Sequence, residues 1–160
     1  MHKIYKSLLV ATISLGLFGC PSDKKVDPEN LSTDLIGTYH GEVLTSTGGA
    51  KNVYDVEVTS TKTNEVNVKI ESQYYFQRNS NEPFMPSGAK KERYFEDGKV
   101  TETKRFIVTE TRSTDWWDYT TRTDINIEGK LTGKVLALDI EYAFPAYDHT
   151  QHITVNLDKK

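Results

Sequence analysis

From residue 34 onward the apolar positions recur on every second residue, and no helical spacing survives for more than a turn. Val66, Val68, Ile70, Tyr74 and Phe76 share one parity, with Glu65, Asn67, Lys69 and Glu71 on the other. Leu136, Leu138, Ile140, Tyr142 and Phe144 alternate with Val135, Ala137, Asp139 and Glu141, and Ile153, Val155 and Leu157 alternate with His152, Thr154 and Asn156. Alternation of this kind marks half-buried antiparallel strands, apolar inward and polar outward. Eight strands are predicted, near 35–45, 51–60, 65–76, 90–96, 99–110, 116–127, 134–143 and 151–158. Gly48-Gly49, Thr63-Asn64, Asp97-Gly98 and the stretch from Gly129 to Gly133 supply turn residues between them, with Asp97-Gly98 the clearest hairpin signal. Eight consecutive antiparallel strands predict an all-β up-and-down barrel, which removes exposed edges by closing on itself. A β-sandwich is the alternative.

The segment before the strands has a different pattern. Lys3 and Lys6 precede an apolar run of eleven residues, Leu8 to Phe18. That length suits the core of an export signal and falls short of the roughly 20 apolar residues a membrane-crossing helix needs. The run closes on Leu17-Phe18-Gly19-Cys20, and Cys20 is the single cysteine of the chain. This tetrapeptide resembles the bacterial lipobox. The resemblance implies a signal peptide over 1–19, cleavage before Cys20, a diacylglycerol on its thiol and an acylated new amine. Two or more acyl chains anchor a protein stably where one does not. The expected address is therefore the bacterial cell envelope, lipid-anchored, with the outer membrane preferred over the inner. Pro21 to Thr33 is polar and holds two prolines, so residues 20–33 read as a lipidated cysteine followed by a flexible tether. Residues 34–160, about 127 in number, form one domain.

With Cys20 acylated, the exported chain has no thiol for a disulfide and its core must hold it together alone. The formal charge is −3; without Lys3 and Lys6, 18 basic residues face 23 acidic ones, a balance of −5. No basic block stands out, which argues against a nucleic-acid partner.

A second resemblance lies in Leu35-Ile36-Gly37-Thr38-Tyr39-His40-Gly41 at the start of the first strand. Gly37-Thr38-Tyr39 looks like the Gly-x-Trp opening of lipocalins and other calycins, with Tyr for Trp. More closely, it resembles the calycin-like domains of bacterial lipoproteins. The resemblance implies a basic residue of the last strand laid across the aromatic ring at the barrel floor. Lys159 continues the inward parity of Ile153, Val155 and Leu157, so Lys159 over Tyr39 is the expected pair, beside Gly37. A solvated tail at Lys159-Lys160 is the other reading.

An even strand count puts both chain ends at one end of the barrel, with the short turns. The longer connections then gather at the opposite end: Gln77 to Ala89, Thr111 to Trp116, and Phe144 to His149. Long loops on a rigid scaffold are where binding usually resides. Tyr74, Phe76, Phe84, Met85, Trp116, Trp117, Tyr119, Phe144 and Tyr147 cluster at that end and are the candidate ligand-binding residues. They can form an apolar mouth for one small ligand, or plug a barrel barely wide enough for its own side chains. Glu102 and Lys104 fall on the inward parity of the fifth strand, marking a polar lumen or a slipped register.

Catalytic chemistry is poorly represented. His149 and His152 lie on opposite faces of an extended strand, and His40 points outward. Nucleophile-elbow, zinc-protease and phosphate-loop motifs are missing. The expectation is a non-enzymatic, lipid-anchored barrel that takes a small apolar or amphipathic ligand, without cofactor or metal. The alternative is a protein- or glycan-interaction module of the envelope with a packed barrel: an adhesin, an assembly partner or a hydrolase inhibitor.

Overall fold

The computed structural model describes residues 30–45, 48–116 and 119–160, without the side chains of Thr61 and of residues 114–119. Among the described residues it contains eight strands: β1 Gly37–Leu44, β2 Ala50–Lys62, β3 Glu65–Phe76, β4 Met85–Glu102, β5 Arg105–Trp116, β6 Tyr119–Thr132, β7 Val135–Phe144 and β8 His149–Lys159. Each pairs antiparallel with the next and β8 returns to β1, giving a closed up-and-down barrel rather than a sandwich. The expected strand count holds, and several local readings change.

Asp97-Gly98 is not a hairpin. It lies inside β4, where Glu96 and Asp97 together oppose the single residue Asn67 of β3. Asp97 takes a left-handed φ of 56°, so a dipeptide that tolerates such backbone makes a β-bulge here. Gly98 is then pressed against β5: a Cβ on it would stand 2.7 Å from Val108 Cγ2. The hairpin falls instead at Thr103-Lys104, with Lys104 at φ 69°.

Gly129 is likewise no turn residue. It lies within β6 opposite Phe106, whose ring occupies the space a Cβ would need. The β6–β7 turn is Gly133-Lys134. The third and fifth connections are shorter than expected. The third covers only residues 77–84, and Thr111 to Trp116 belongs to β5. Phe106 and Val108 are buried, so the inward parity of β5 holds, but the strand begins only at Arg105, and Glu102 and Lys104 are exposed at the β4–β5 turn, marking neither a polar lumen nor a slipped register.

The interior is filled in its lower half, the end with the short turns. Val56, Val58, Val66, Val68, Phe95, Phe106, Val108, Ile127, Leu131, Leu136, Leu138, Val155 and Leu157 are all buried there. Asn30 to Thr33, read as the end of the tether, fold with Asp34 and Leu35 into turns that seal this base. The amide of Leu31 donates to Asn64 Oδ1 at 2.8 Å, and the Ser32 hydroxyl, fully buried, donates to Asn30 Oδ1 at 2.6 Å. The buried Tyr39 hydroxyl donates to the Leu35 carbonyl at 2.7 Å. Lys159 pairs with Tyr39 across the β1–β8 closure, its Nζ 5.7 Å from the ring centroid and 3.1 Å from the Asp34 carbonyl oxygen. Gly37, at φ 153°, makes room for it, since a Cβ there would meet Lys159 Cε at 2.7 Å.

Candidate functional site

The upper half of the barrel is not filled. A cavity of about 600 Å³ occupies the loop end, bounded by the inward side chains of β2 to β8. Its volume falls within the roughly 300–1,000 Å³ usual for small-molecule sites. Ile70, Ile125, Ile140 and Ile153 give it an aliphatic lining that continues the core. Asn52, Ser72, Ser87, Thr123 and Gln151 add polar groups around this lining. The inward parity that is apolar low in each strand turns polar toward the loops. In β2 it runs Val58, Val56, Tyr54, Asn52, and in β3 Val66, Val68, Ile70, Ser72.

Three cations reach this space: Lys91 and Arg93 from β4 and Arg112 from β5. Among the described residues no carboxylate lines it. Arg93 extends across the lumen to β7. Its Nη1 donates to the Tyr142 hydroxyl, and its guanidinium carbon lies 4.9 Å from the Tyr142 ring centroid. The neighbouring Tyr54 phenol is pushed above its ordinary pKa, first by burial and then by Tyr142, against the pull of Arg93. Arg112 is held differently. Its Nη2 donates to Glu110 Oε2 at 2.7 Å and to the backbone carbonyl of Tyr94, with its Nε on Glu110 Oε1. Its guanidinium carbon sits 4.6 Å over the Phe95 ring, and the Glu110 carboxylate raises its pKa further.

Of the residues expected at the mouth, Tyr74 and Phe144 line the cavity, Tyr74 at the rim and Phe144 buried. Phe76 and Met85 are register partners on β3 and β4, half-buried and off the cavity. Phe84 lies under Lys51, with Nζ 5.0 Å from its centroid, and does not face the lumen. Tyr147 is exposed on the short 3-10 turn Pro145–Tyr147. Trp116 and Tyr119 pair through their backbones at the end of the β5–β6 ribbon, but their side chains, like Trp117 and Cys20 entirely, lie outside the described residues. Among the described side chains, two of the expected members therefore line the cavity. The polar and cationic residues that line the cup were not among those anticipated, although Tyr142 sits on a parity that was read as inward. Alternation could also have found Arg93, two residues before the inward Phe95. A run reading Lys-Lys-Glu-Arg looks like solvated surface, and that hid it.

None of the three described histidines lines the cavity. His149 stacks on Phe144 with centroids 6.0 Å apart, His152 Nε2 lies 3.6 Å from Glu141 Oε2, and His40 Nδ1 is 3.0 Å from Asp55 Oδ1. Among the described residues no cluster of His, Cys, Asp and Glu is placed to hold a metal ion, and no helix is long and apolar enough to cross a membrane. Comparison of the chain with family models, curated proteins and solved structures finds no match.

Proposed function

We propose that this chain is a lipid-anchored, non-enzymatic binding protein of the bacterial cell envelope that takes a small amphipathic ligand into the open half of its barrel. The observation that carries the reading is the cup of about 600 Å³, closed below by packed core and lined by both isoleucines and polar groups. A purely apolar ligand would leave Asn52, Ser72 and Gln151 desolvated without partners, which is costly. An amphipathic one matches both halves of the lining. The resemblance of Leu17-Phe18-Gly19-Cys20 to a lipobox supports the anchor. The chain enters the barrel at its sealed base, so an anchor on Cys20 leaves the cup at the far end. The alternative of an interaction module rests on a packed barrel, and the empty upper half favours the ligand.

Two measurements test this. Palmitate labelling in a bacterial host is expected for the full chain and lost in Cys20→Ala. Native mass spectrometry of the full chain released in mild detergent is expected to show one small molecule per barrel. Failure of any amphiphile, whatever its head group, to bind the isolated protein would refute the reading.

A further inference from the structure

The β4–β5 seam differs from every other in the barrel wall formed by consecutive strands. β5 and β6 pair through twelve residue positions, whereas β4 and β5 pair through three: Lys99 with Ile107, Val100 with Phe106 and Glu102 with Arg105. Above Lys99 the two strands part, and no backbone pairing among the described residues joins them. What crosses the gap is a side chain, Arg112, bonded to the Tyr94 carbonyl. Lys91, Arg93 and Arg112 all flank this opening and all line the cup.

We propose that the cup selects an anion, whose charged group sits among Lys91, Arg93 and Arg112 at the open β4–β5 seam. The proposal rests on the ligand reading above and names the head group of that ligand. Arg112 is already matched by Glu110. Arg93 is not: of its five N–H groups one bond is spent on the neutral Tyr142 hydroxyl, and no carboxylate among the described residues pairs with it or with Lys91. Two unmatched cations beside a third in one concavity repel each other, and an anion removes that repulsion. The whole chain is acidic at −3, but charges farther away than about 8 Å are screened at physiological salt, so the nearby cations set the field inside the cup. A guanidinium and an ammonium on adjacent inward positions of one strand are suited to an oxyanion with more than one acceptor oxygen, a carboxylate or a phosphate monoester. The isoleucines beneath them receive the apolar remainder.

Isothermal titration of the full chain with decyl phosphate, decanol, decyltrimethylammonium and inorganic phosphate tests this. Decyl phosphate is expected to bind at least about tenfold more tightly than decanol, as charge-assisted hydrogen bonds require. Decyltrimethylammonium is expected to bind least. Lys91→Gln and Arg93→Gln are each expected to lower decyl phosphate affinity by about fivefold or more while leaving decanol unchanged. Lys91 is exposed, so its replacement reads the charge without risk to the fold. Decanol or decyltrimethylammonium binding as tightly as decyl phosphate would overturn the proposal, as would Lys91→Gln and Arg93→Gln both without effect. Inorganic phosphate matching decyl phosphate would uphold the anion site and refute the amphipathic reading instead. If none of the four binds, both fall.

Discussion

Replacing Gly41 by alanine adds one methyl group where β8 closes the barrel. A Cβ there would lie 2.3 Å from the Asn156 carbonyl oxygen and 3.0 Å from Leu157 Cδ2. A carbon and a backbone oxygen ordinarily approach no closer than about 3.3 Å, so the two backbones must part by about 1 Å. The nearer atom, the Asn156 oxygen, belongs to the backbone and cannot swing aside as a side chain can. The β1–β8 ladder that would yield has only two residue pairs, Tyr39 with Lys159 and His40 with Asp158. Overpacking of this kind costs about 1–3 kcal/mol, and loosening the ladder adds about 1 kcal/mol for each bond lost. The expected total is about 2–4 kcal/mol, a large share of the roughly 5–15 kcal/mol that holds a domain folded. At about 3–5 °C per kcal/mol for this size, Tm falls by about 10 °C. Gly49→Ala is the control, because nothing stands within 4 Å of its Cβ position. It is expected to be neutral or stabilising by about 0.5 kcal/mol through the unfolded chain. Urea unfolding followed by far-UV circular dichroism measures both variants. A loss below about 0.5 kcal/mol in Gly41→Ala, or an equal loss in Gly49→Ala, would show that the closure is not set by this contact.

Gly129→Ala places a Cβ 2.1 Å from Phe106 Cε1, and is expected to cost about 1–3 kcal/mol by urea unfolding, less when Phe106 is also changed to leucine. Equal costs in the two backgrounds would count against the ring-over-glycine contact. Tyr39→Phe removes the buried hydroxyl bonded to the Leu35 carbonyl and is expected to lose about 1–2 kcal/mol; Lys159→Met, which removes the charge over that ring, about 0.5–1 kcal/mol. Acid stability should track Glu71, whose carboxyl is drawn down to about 2 from its ordinary 4.5 by hydrogen bonds from Lys69 and Lys90. Glu65, Asp55 and Asp124 are lowered in the same sense. A depressed carboxylate contributes fully above its unfolded pKa and loses that contribution as pH falls through the folded one. Tm should therefore decline between about pH 4.5 and pH 2, less steeply in Glu71→Gln; an identical decline in that variant would remove Glu71 from the account.

How much of this was legible in the chain depends on which force places each residue. Closure, strand count and the inward faces of β3, β7 and β8 follow from period-two burial, which is written into the order of apolar residues. Turn chemistry was less readable, because one backbone requirement serves two structures. Asn64 and Asp97 both adopt positive φ, yet Asn64 ends a hairpin and Asp97 makes a bulge. Only the partner strand decides between them, and its register is a property of the fold. Glycines within strands are hard to tell from turn glycines for the same reason. Gly129 is required by the ring of Phe106, on the neighbouring strand. The cup was half legible. Its apolar members lie on visible parities, but its cations required the view that an inward position of a strand can be Arg93 or Lys91, which is unfavourable in a packed barrel and tolerable only in an open one.

The Asp97-Gly98 bulge and the cations of the cup lie on the same strand, β4. A bulge bends the strand that carries it and re-aims the side chains beyond it. β4 has two. Glu96 and Asp97 oppose Asn67, whose Oδ1 accepts from the Asp97 amide at 3.2 Å. Farther up, Gly88, Ala89 and Lys90 together oppose Gln73, whose Nε2 donates to the Ser87 and Gly88 carbonyls at 3.3 and 3.2 Å. An amide side chain thus satisfies backbone groups that each bulge withdraws from the ladder, so β3 keeps β4 as its partner along the whole of that edge. Among the described residues β5 offers β4 no such amide. Its pairing with β4 ends at Lys99, next to the first bulge, where Gly98 lets Val108 come close. Beyond that point β4 follows β3 and leaves β5, and Arg112 takes the Tyr94 carbonyl that a strand neighbour would have taken. A continuous ladder would draw the wall inward and turn Lys91 and Arg93 into buried charges facing core. The bulged strand instead lets them stand at the edge of a cavity and a gap, where water or a bound anion can meet them. Two amide side chains and an Asp-Gly pair thus hold β4 against β3 through both bulges, beside the stretch where its pairing with β5 ends.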